Sequence, residues 1–274
     1  MSLIFEEKGH LYKSIDPNEK IKWVSVTSVI SKFKEPFDAE LQASKSTKNK
    51  KSKWYKISPK DILDIWNKES NRAMSLGTFY HNQREKDIID LDTLTIDGKA
   101  LPIIPPKIID GLKYAPEQKL IPGIYPEHFS YLKSAEICGQ ADYVEIIGNK
   151  VNIIDYKTNK EIKKRSWKNW EGIYKVLSAP LKHIEDCNLN HYTLQLSLYM
   201  YMIIKHNPKL KPGKLVVQHV VFEKEGDDKN GYPITKYQEN GDPIVKEVIS
   251  YDLPYLKAEV LSIIKHLKDN KNDN

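Results

Sequence analysis

The sequence predicts an α/β (α+β) fold in which helices accompany a sheet of at least three adjacent, mostly antiparallel strands. A hairpin pattern at residues 137–159 is preceded by an extended stretch, and helical spacing of apolar residues occurs before and after it. A further strand-like run, KLVVQHVVFEK, lies in the last third of the chain. We expect a single domain over residues 1–274.

The composition bounds the class of protein. With 274 residues, 40% hydrophobic and 29% charged, the chain is long enough to bury a core and is not broadly disordered. The sequence has no apolar run of about 20 residues and does not begin like a secretory signal, so we expect a cytoplasmic protein without membrane partners. Its Lys, Asn and Ile usage fits an AT-rich bacterial or phage genome.

The cysteine content argues against two kinds of metal site. Cys138 and Cys187 are the only cysteines and neither belongs to a C-x-x-C pair. We therefore expect no zinc ribbon and no four-cysteine iron–sulfur cluster, and interpret both residues as buried small hydrophobes.

The first half of the chain is predicted to form a hairpin followed by helices. Two short apolar runs around residues 7–9 indicate the hairpin, and Ser25, Thr27 or Ser28 caps a short helix that ends before Pro36. Further expected elements are a mobile basic loop near 44–57, a helix from Ser58 and Pro59 through ILDIWNKESNRAM, a second helical stretch at LGTFYHNQREKDIID, a turn-rich excursion at DTLTIDGKALPIIPP, and a weak helix IIDGLKYAPEQK interrupted by Pro116.

The stretch 137–159 brings together the strongest candidates for chemistry. If Gly148-Asn149 closes a hairpin, Asp142 lies on the strand beside Asp155 and Lys157, which share one face because strand side chains alternate. Two carboxylates and a lysine are suited to hold a divalent cation and place an ammonium beside the water it activates. The alternative is a cross-strand ion pair, or a group of solvent-exposed side chains at the strand ends, that contributes about 0.2 to 1 kcal/mol to stability.

A second candidate pair lies on the predicted helix before this hairpin. His81 and Glu85 are four residues apart and so share one helix face. The imidazole is a common ligand of divalent metals, and Gly77 would allow a close approach by backbone or ligand. The alternative is a surface pair.

A third pair lies on the predicted helix HYTLQLSLYMYMIIKH. Gln195 and Tyr199 share a face beside an apolar stripe of Leu194, Leu198 and Met202. An amide and a phenol at this spacing could reach the lysine, the water or a phosphate oxygen, although burial as core polar groups is the competing interpretation. A strand, a turn-rich ribbon near 224–250, another strand and a last helix at about 254–268 are expected to follow.

Two basic segments are candidates for nucleic-acid contacts, and the formal charge of +6 is compatible with a polyanionic partner. Lys50, Lys51 and Lys53 belong to an acid-free stretch that contacts phosphates or forms a solvated loop. The second segment has aromatic residues at helix-like spacing among cations, which could stack bases at ~1 to 3 kcal/mol each or pack as an amphipathic helix on the sheet. Its candidate residues are Lys164, Arg165, Trp167, Lys168 and Trp170.

Four separated motifs occur in the order found in one nuclease family. GTFYHNQRE, GQADYV, IIDYKTN and QLSLY resemble the G-x-x-x-H-x-x-x-E, A-D, D-x-K and Q-x-x-x-Y motifs of the RecB-like branch of the PD-(D/E)XK nuclease superfamily. This branch includes nuclease domains of bacterial recombination enzymes, CRISPR-associated nucleases, the mitochondrial genome maintenance exonuclease and phage exonucleases. The resemblance covers about residues 27–199.

The resemblance implies a restriction-endonuclease-like core, with a central mixed sheet flanked by helices and one or two Mg²⁺ or Mn²⁺ ions at its edge. His81, Asp142, Asp155 and the backbone carbonyl of Tyr156 would bind metal. The remaining motif residues would have catalytic roles: Lys157 would position or deprotonate the attacking water, Glu85 would be an auxiliary acid, and Gln195 and Tyr199 would organise Lys157 and the scissile phosphate.

The function expected from this resemblance is a metal-dependent DNA exonuclease acting on single strands or duplex ends, with replication or recombination proteins as further partners. The chain has no G-x-x-x-x-G-K-[ST] phosphate loop, so no nucleotide cofactor is expected. An endonuclease on the same fold and a catalytically silent nucleic-acid-binding module are the alternatives.

Overall fold

The computed structural model describes residues 3–6, 11–115 and 118–272. Its strands are β1 (Leu3–Glu6), β2 (Leu11–Ser14), β3 (Val24–Ser25), β4 (Thr93–Ile96), β5 (Lys99–Pro102), β6 (Lys107–Ile109), β7 (Leu112–Tyr114), β8 (Gly123–Leu132), β9 (Ile137–Ile147), β10 (Lys150–Lys157), β11 (Lys211–Phe222), β12 (Lys224–Asp227), β13 (Pro233–Thr235) and β14 (Val245–Leu253). Its helices are α1 (Val26–Ser31), α2 (Ala39–Lys48), α3 (Pro59–Ile89), α4 (Asn188–His206) and α5 (Lys257–Asn272).

A mixed sheet forms the centre of the fold, with strand order β14-β11-β10-β9 and with β8 and β3 also paired to β9. Strands β8, β9 and β10 are successively antiparallel, whereas β10 and β11 are parallel. The predicted hairpin closes at Gly148-Asn149, where Gly148 has a φ of +60° and Ile147 pairs with Lys150. The predicted α/β (α+β) class, with a mixed central sheet flanked by helices, is confirmed.

Helices cover both faces of this sheet. Helix α4 buries its apolar stripe, including Leu194, Leu198 and Met202, against the face that carries Asp155, and each such side chain contributes about 1.5 to 3 kcal/mol. Helix α3 packs on the opposite face, where the rings of Tyr80 and Tyr156 are 5.8 Å apart. The strand alternation predicted for Asp155 and Tyr156 is therefore observed.

A small antiparallel sheet of order β2-β1-β7-β6 packs beside the central one through Phe5 and Phe129. Its β1–β2 hairpin is as predicted, although the expected turn lies outside the described residues. The expected weak helix after Pro106 is wrong: β6 and β7 form a hairpin there, and Asp110 and Gly111 turn it with φ of 51° and 75°. The expected interruption at Pro116 falls outside the described residues.

Three other local predictions need correction. The basic loop expected near 44–57 begins later, because α2 is capped by Asp38 and continues through Lys48. The two helices expected around Met74 to Gly77 are one continuous α3, capped by Ser58 with Pro59 in the first turn. Gly77 does permit a close approach: a Cβ there would lie 3.1 Å from Thr158 Oγ1.

The third correction concerns the aromatic segment after β10. No helix forms between Lys157 and Asn188, a range that the structure describes throughout. Asn169 Oδ1 instead accepts hydrogen bonds from the backbone N–H groups of Glu171 and Ile173, and Gly172 has a φ of +80°. Such a side-chain turn replaces the helical hydrogen bonds. In the described part of the chain, no helix is both long and apolar enough to cross a membrane.

Candidate functional site

His81 of α3 and Asp142 of β9 are in contact where the pairing of β9 with β10 ends. His81 Nδ1 lies 3.3 Å from Asp142 Oδ1, and the backbone N–H of Tyr156 donates to Asp142 Oδ2 at 2.7 Å. Both carboxylate oxygens therefore have fixed partners, and the Tyr156 main chain lies beside this pair.

Glu127 of β8 is a third member of this cluster that the sequence motifs did not indicate. One ligand atom from each of His81, Glu127 and Asp142 lies within 4.8 Å of the other two. Glu127 has a φ of +46°, a left-handed conformation that costs an L residue on the order of 1 to 3 kcal/mol and, away from a turn, is a feature of strained functional sites. An imidazole nitrogen and two carboxylate oxygens are a suitable donor set for Mn²⁺ or Mg²⁺.

Proton affinities in this cluster are high. Burial lowers the pKa of His81, but the adjacent Asp142 carboxylate outweighs burial and raises it to about 9. Burial and the Asp142 charge raise the pKa of Glu127 to about 8. The pKa of Asp142 is lowered, because His81 and Lys157 outweigh the opposing effect of burial. A bound divalent cation would replace the protons that His81 and Glu127 hold at neutral pH.

Asp155 and Lys157 form a buried ion pair next to the cluster. The carboxylate of Asp155, 1% exposed, pairs with Lys157 Nζ through Oδ2 and accepts a hydrogen bond from Gln195 Nε2 on Oδ1 at 3.2 Å. Burial raises the pKa of Asp155 to about 6 against the effect of Lys157. Burial lowers the pKa of Lys157, but Asp155 and Asp142 outweigh it and hold the pKa above its ordinary value.

Gln195 and Tyr199 are placed by α4 against this ion pair. Gln195 Nε2 also lies 3.4 Å from the hydroxyl oxygen of Tyr199, and both side chains are buried. A Cβ on Gly139 would lie 2.9 Å from Tyr199 Cε1, so glycine at this position makes room for the phenol ring. A cavity of about 210 Å³ is lined by Glu127, Asp142, Gln195, Tyr199 and neighbouring residues.

Tyr192, which the sequence interpretation did not include, lies one turn before Gln195 and supports Lys157. The Lys157 ammonium lies 5.1 Å from the centre of the Tyr192 ring. The Tyr192 hydroxyl donates to Asn159 Oδ1 at 2.6 Å, and His219 Nε2 donates to the Asn159 carbonyl oxygen at 2.6 Å. This hydrogen-bonded chain fixes the backbone that follows Lys157.

Glu85 lies outside the His81–Glu127–Asp142 cluster. Its two carboxylate oxygens are 3.3 and 3.4 Å from Nζ of Lys113 on β7. Of the four predicted metal-binding residues, the structure brings His81 and Asp142 into direct contact and puts the Tyr156 main chain beside them. Asp155 is adjacent, but its carboxylate is held by Lys157 and Gln195.

The predicted nucleic-acid residues are all exposed, but several already have intramolecular partners. Lys53 Nζ donates to the Asn230 carbonyl at 2.7 Å and lies over the rings of Trp54 and Tyr232. In the segment after β10, the cations lie over tyrosine rings: Lys164 over Tyr251, and Arg165 and Lys168 over Tyr174.

Arg165 has a second partner, since it also pairs with Glu185. Trp167 and Trp170 are 64% and 92% exposed and available to stack on a ligand. Lys164, Arg165 and Trp167 line a groove of about 960 Å³ with Lys34 and Phe37.

Glu127 and Lys113 were both missed by sequence reasoning, and they differ in whether the sequence carries a signal for them. Glu127 interrupts the apolar stretch GIYPEHFSYL, and an acid in a buried strand was an available signal. The sequence carries no such signal for Lys113, because the position of Lys113 depends on how β7 packs against α3.

Comparison of the chain with protein-family models, with curated proteins and with solved structures found no match.

Proposed function

We propose that this protein is a divalent-metal-dependent DNA nuclease, and that it acts as an exonuclease on single-stranded DNA or duplex ends. The observation that carries the proposal is that His81, Asp142 and the Asp155–Lys157 pair meet at one place although they come from separate segments. A buried ammonium, two carboxylates and an imidazole are expensive to bring together for stability alone. Their meeting favours a catalytic role.

The donor set fits the metal that the motif resemblance implies. His81, Glu127 and Asp142 would hold Mg²⁺ or Mn²⁺, with the imidazole nitrogen favouring Mn²⁺. When bound, such an ion supplies positive charge beside the scissile phosphate and lowers the pKa of a coordinated water.

The Asp155–Lys157 pair has groups suited to the proton movements of hydrolysis. Water forms a bond to phosphorus and gives up a proton, the bond from phosphorus to the leaving oxygen breaks, and the leaving oxygen takes up a proton from solvent. Asp155, whose pKa is raised to about 6, is matched to accept the proton of the water near neutral pH. Lys157 stays protonated because its pKa is raised, so its ammonium would bind a phosphate oxygen and stabilise the developing charge. Gln195 and Tyr199 would orient this pair.

The exposed segment that follows Lys157 supplies the features expected for a single-strand contact. Trp167 and Trp170 present unpaired aromatic surface, and Lys164, Arg165 and Lys168 add positive charge beside them. Aromatic stacking with phosphate neutralisation is tolerant of base sequence. We propose DNA without sequence preference as the partner, in the cytoplasm of a bacterial or phage-infected cell.

Digestion of end-labelled DNA tests this proposal. Single- and double-stranded oligonucleotides are incubated with Mg²⁺, with Mn²⁺ and with a chelator, and the products are sized over time. We expect cleavage with either ion, faster with Mn²⁺, and none with chelator. Absence of cleavage of any DNA with both ions would reject the proposed activity.

A closed circular single strand and its linear counterpart separate the two modes of cleavage. An exonuclease degrades the linear strand and leaves the circle intact. Degradation of the circle at a comparable rate would replace exonuclease by endonuclease while retaining the metal-dependent chemistry.

A further inference from the structure

Lys113 is a buried lysine that the nuclease motifs leave unassigned. It lies on β7 of the small sheet, is 9% exposed, and has both oxygens of Glu85 within 3.4 Å of its ammonium. A buried ammonium is retained only when carboxylates compensate for lost hydration. The contact with both oxygens fixes a positive charge at a defined place beside the candidate metal site.

That charge lies among the acids of the site. Glu85 follows His81 by four residues on α3 and so lies one turn along the same helix face, next to the cluster of His81, Glu127 and Asp142. Glu85, Glu127 and Asp142 thus form a run of carboxylates. Lys113 acts on Glu85 and Glu127, whereas Lys157 is paired with Asp155.

Carboxylates in such a run could in principle hold two cations, but the described residues contain one three-ligand cluster, at His81, Glu127 and Asp142. An ion bound to Glu85 would have to displace the Lys113 ammonium or lie directly beside it. A divalent ion and an ammonium repel each other strongly at that distance in a partly buried site.

We propose that the Lys113 ammonium holds the position beside Glu85 that a second divalent ion would take, so that this site binds one metal ion. The inference rests on the proposed metal-dependent function. Lys113 supplies a fixed positive charge that does not depend on the concentration of metal ion. Glu85 positions that lysine and is not a metal ligand.

Metal stoichiometry tests this without any substrate. Mn²⁺ is titrated into the wild-type chain, Lys113→Met and Lys113→Arg, with free Mn²⁺ followed by electron paramagnetic resonance and folding checked by circular dichroism. We expect one ion in the wild type and in Lys113→Arg, which keeps the charge. Lys113→Met is expected to bind a second, weaker ion, whose coupling to the first broadens the signal.

Two ions in the wild type, or one ion in folded Lys113→Met, would overturn the inference. Glu85→Gln gives an independent test that does not require Lys113→Met to fold: it should still bind one ion with affinity within about threefold of wild type, a change of less than 1 kcal/mol. A more than tenfold loss would identify Glu85 as a ligand and overturn the inference. A wild type that binds no Mn²⁺ would instead reject the metal-dependent function itself.

Discussion

The candidate site has a lysine on each side, and the chain places the two lysines in different ways. Lys157 follows Asp155 by two residues, so the alternation of one strand is enough to pair them. Lys113 belongs to a separate small sheet and meets Glu85 of α3, 28 residues away in sequence. One pair is formed by local geometry, and the other by the packing of a sheet against a helix.

The surroundings of the two lysines differ as well. The Lys157 side, made of Asp155, Lys157, Gln195 and Tyr199, has hydrogen-bonding groups suited to proton movement. The Lys113 side, made of Lys113, Glu85 and Glu127, has charges suited to holding a cation. Substitutions on the Lys157 side should therefore lower the rate of cleavage, whereas removal of the Lys113 charge or of the Glu127 carboxylate should change cation binding.

Lys157→Ala should have the largest effect. Loss of the ammonium removes charge stabilisation and the partner of Asp155, and we expect the cleavage rate to fall about 1000-fold with Mn²⁺ binding within about threefold of wild type. Lys150→Ala, at the exposed start of the same strand, is the matched control. Full activity of Lys157→Ala in steady-state assays would remove Lys157 from the mechanism.

Glu127→Gln should act on cation binding. The change removes one carboxylate of the three-ligand cluster, and we expect Mn²⁺ affinity measured by calorimetry to fall by at least about 100-fold, because even loss of an outer partner of a metal costs about 10- to 100-fold. Glu247→Gln on the exposed edge of β14 is the control. Unchanged affinity would show that the cluster is not the metal site.

Trp170→Ala should weaken binding of DNA without changing the Lys157 side or the Lys113 side of the site. Trp170 is almost fully exposed, and loss of one stacked base costs ~1 to 3 kcal/mol, so we expect roughly tenfold weaker binding of a single-stranded oligonucleotide by fluorescence polarisation. Trp170→Phe keeps an aromatic ring and should retain most of the affinity. Equal affinity of all three proteins would exclude stacking at this residue.

Gly139→Ala should affect the Lys157 side slightly. The new methyl group would lie 2.9 Å from Tyr199 Cε1, and the displaced ring should lower the cleavage rate by about three- to tenfold. Gly226→Ala, which has no atom within 4 Å of the new Cβ, is the control. In a Tyr199→Phe background the effect of Gly139→Ala should shrink; an undiminished effect would mean that it does not act through the Tyr199 hydroxyl.

The stability of the metal-free protein should fall as pH rises above neutrality. The folded-state pKa of Glu127 is raised from 4.5 to about 8 and that of His81 from 6.5 to about 9, so the folded state binds more protons than the unfolded state within these windows. Their contribution is present at low pH and is lost as pH rises through 8 to 9. Thermal unfolding in chelator should show this slope, and Glu127→Gln should reduce it. A wild-type stability that does not change with pH in this range would contradict the raised pKa values of Glu127 and His81.

Much of the Lys157 side could be predicted because its pattern is local. The D-x-K alternation, the Gly148-Asn149 turn and the four-residue spacing of Gln195 and Tyr199 each fix relative positions within one element or hairpin. The Ser25 and Ser58 caps are equally local, and both accept the expected backbone hydrogen bond.

The failures have separate physical causes. The sequence IIDGLK contains an Asp-Gly hairpin signal, and that turn overrode the weak helical spacing around it. The aromatic spacing at 167–174 resembles a helix face, but Trp167 and Trp170 are 64% and 92% exposed and so bury little surface that would stabilise a helix. Lys113 and Glu127 reach the site through long-range packing, which local patterns do not encode.

Continuity of α3 also fixes the distance between two parts of the molecule. The turn at residues 50–57, which carries Lys50, Lys51 and Lys53, packs on the start of this helix through Trp54 and Ile62, and His81 lies nineteen residues after Ile62. At 1.5 Å per residue that separation along the helix axis is about 28 Å. Because a helix is stiff, the backbone at Ile62 and the backbone at His81 keep this separation, so the turn and the metal cluster cannot close on a ligand by moving toward each other along the helix.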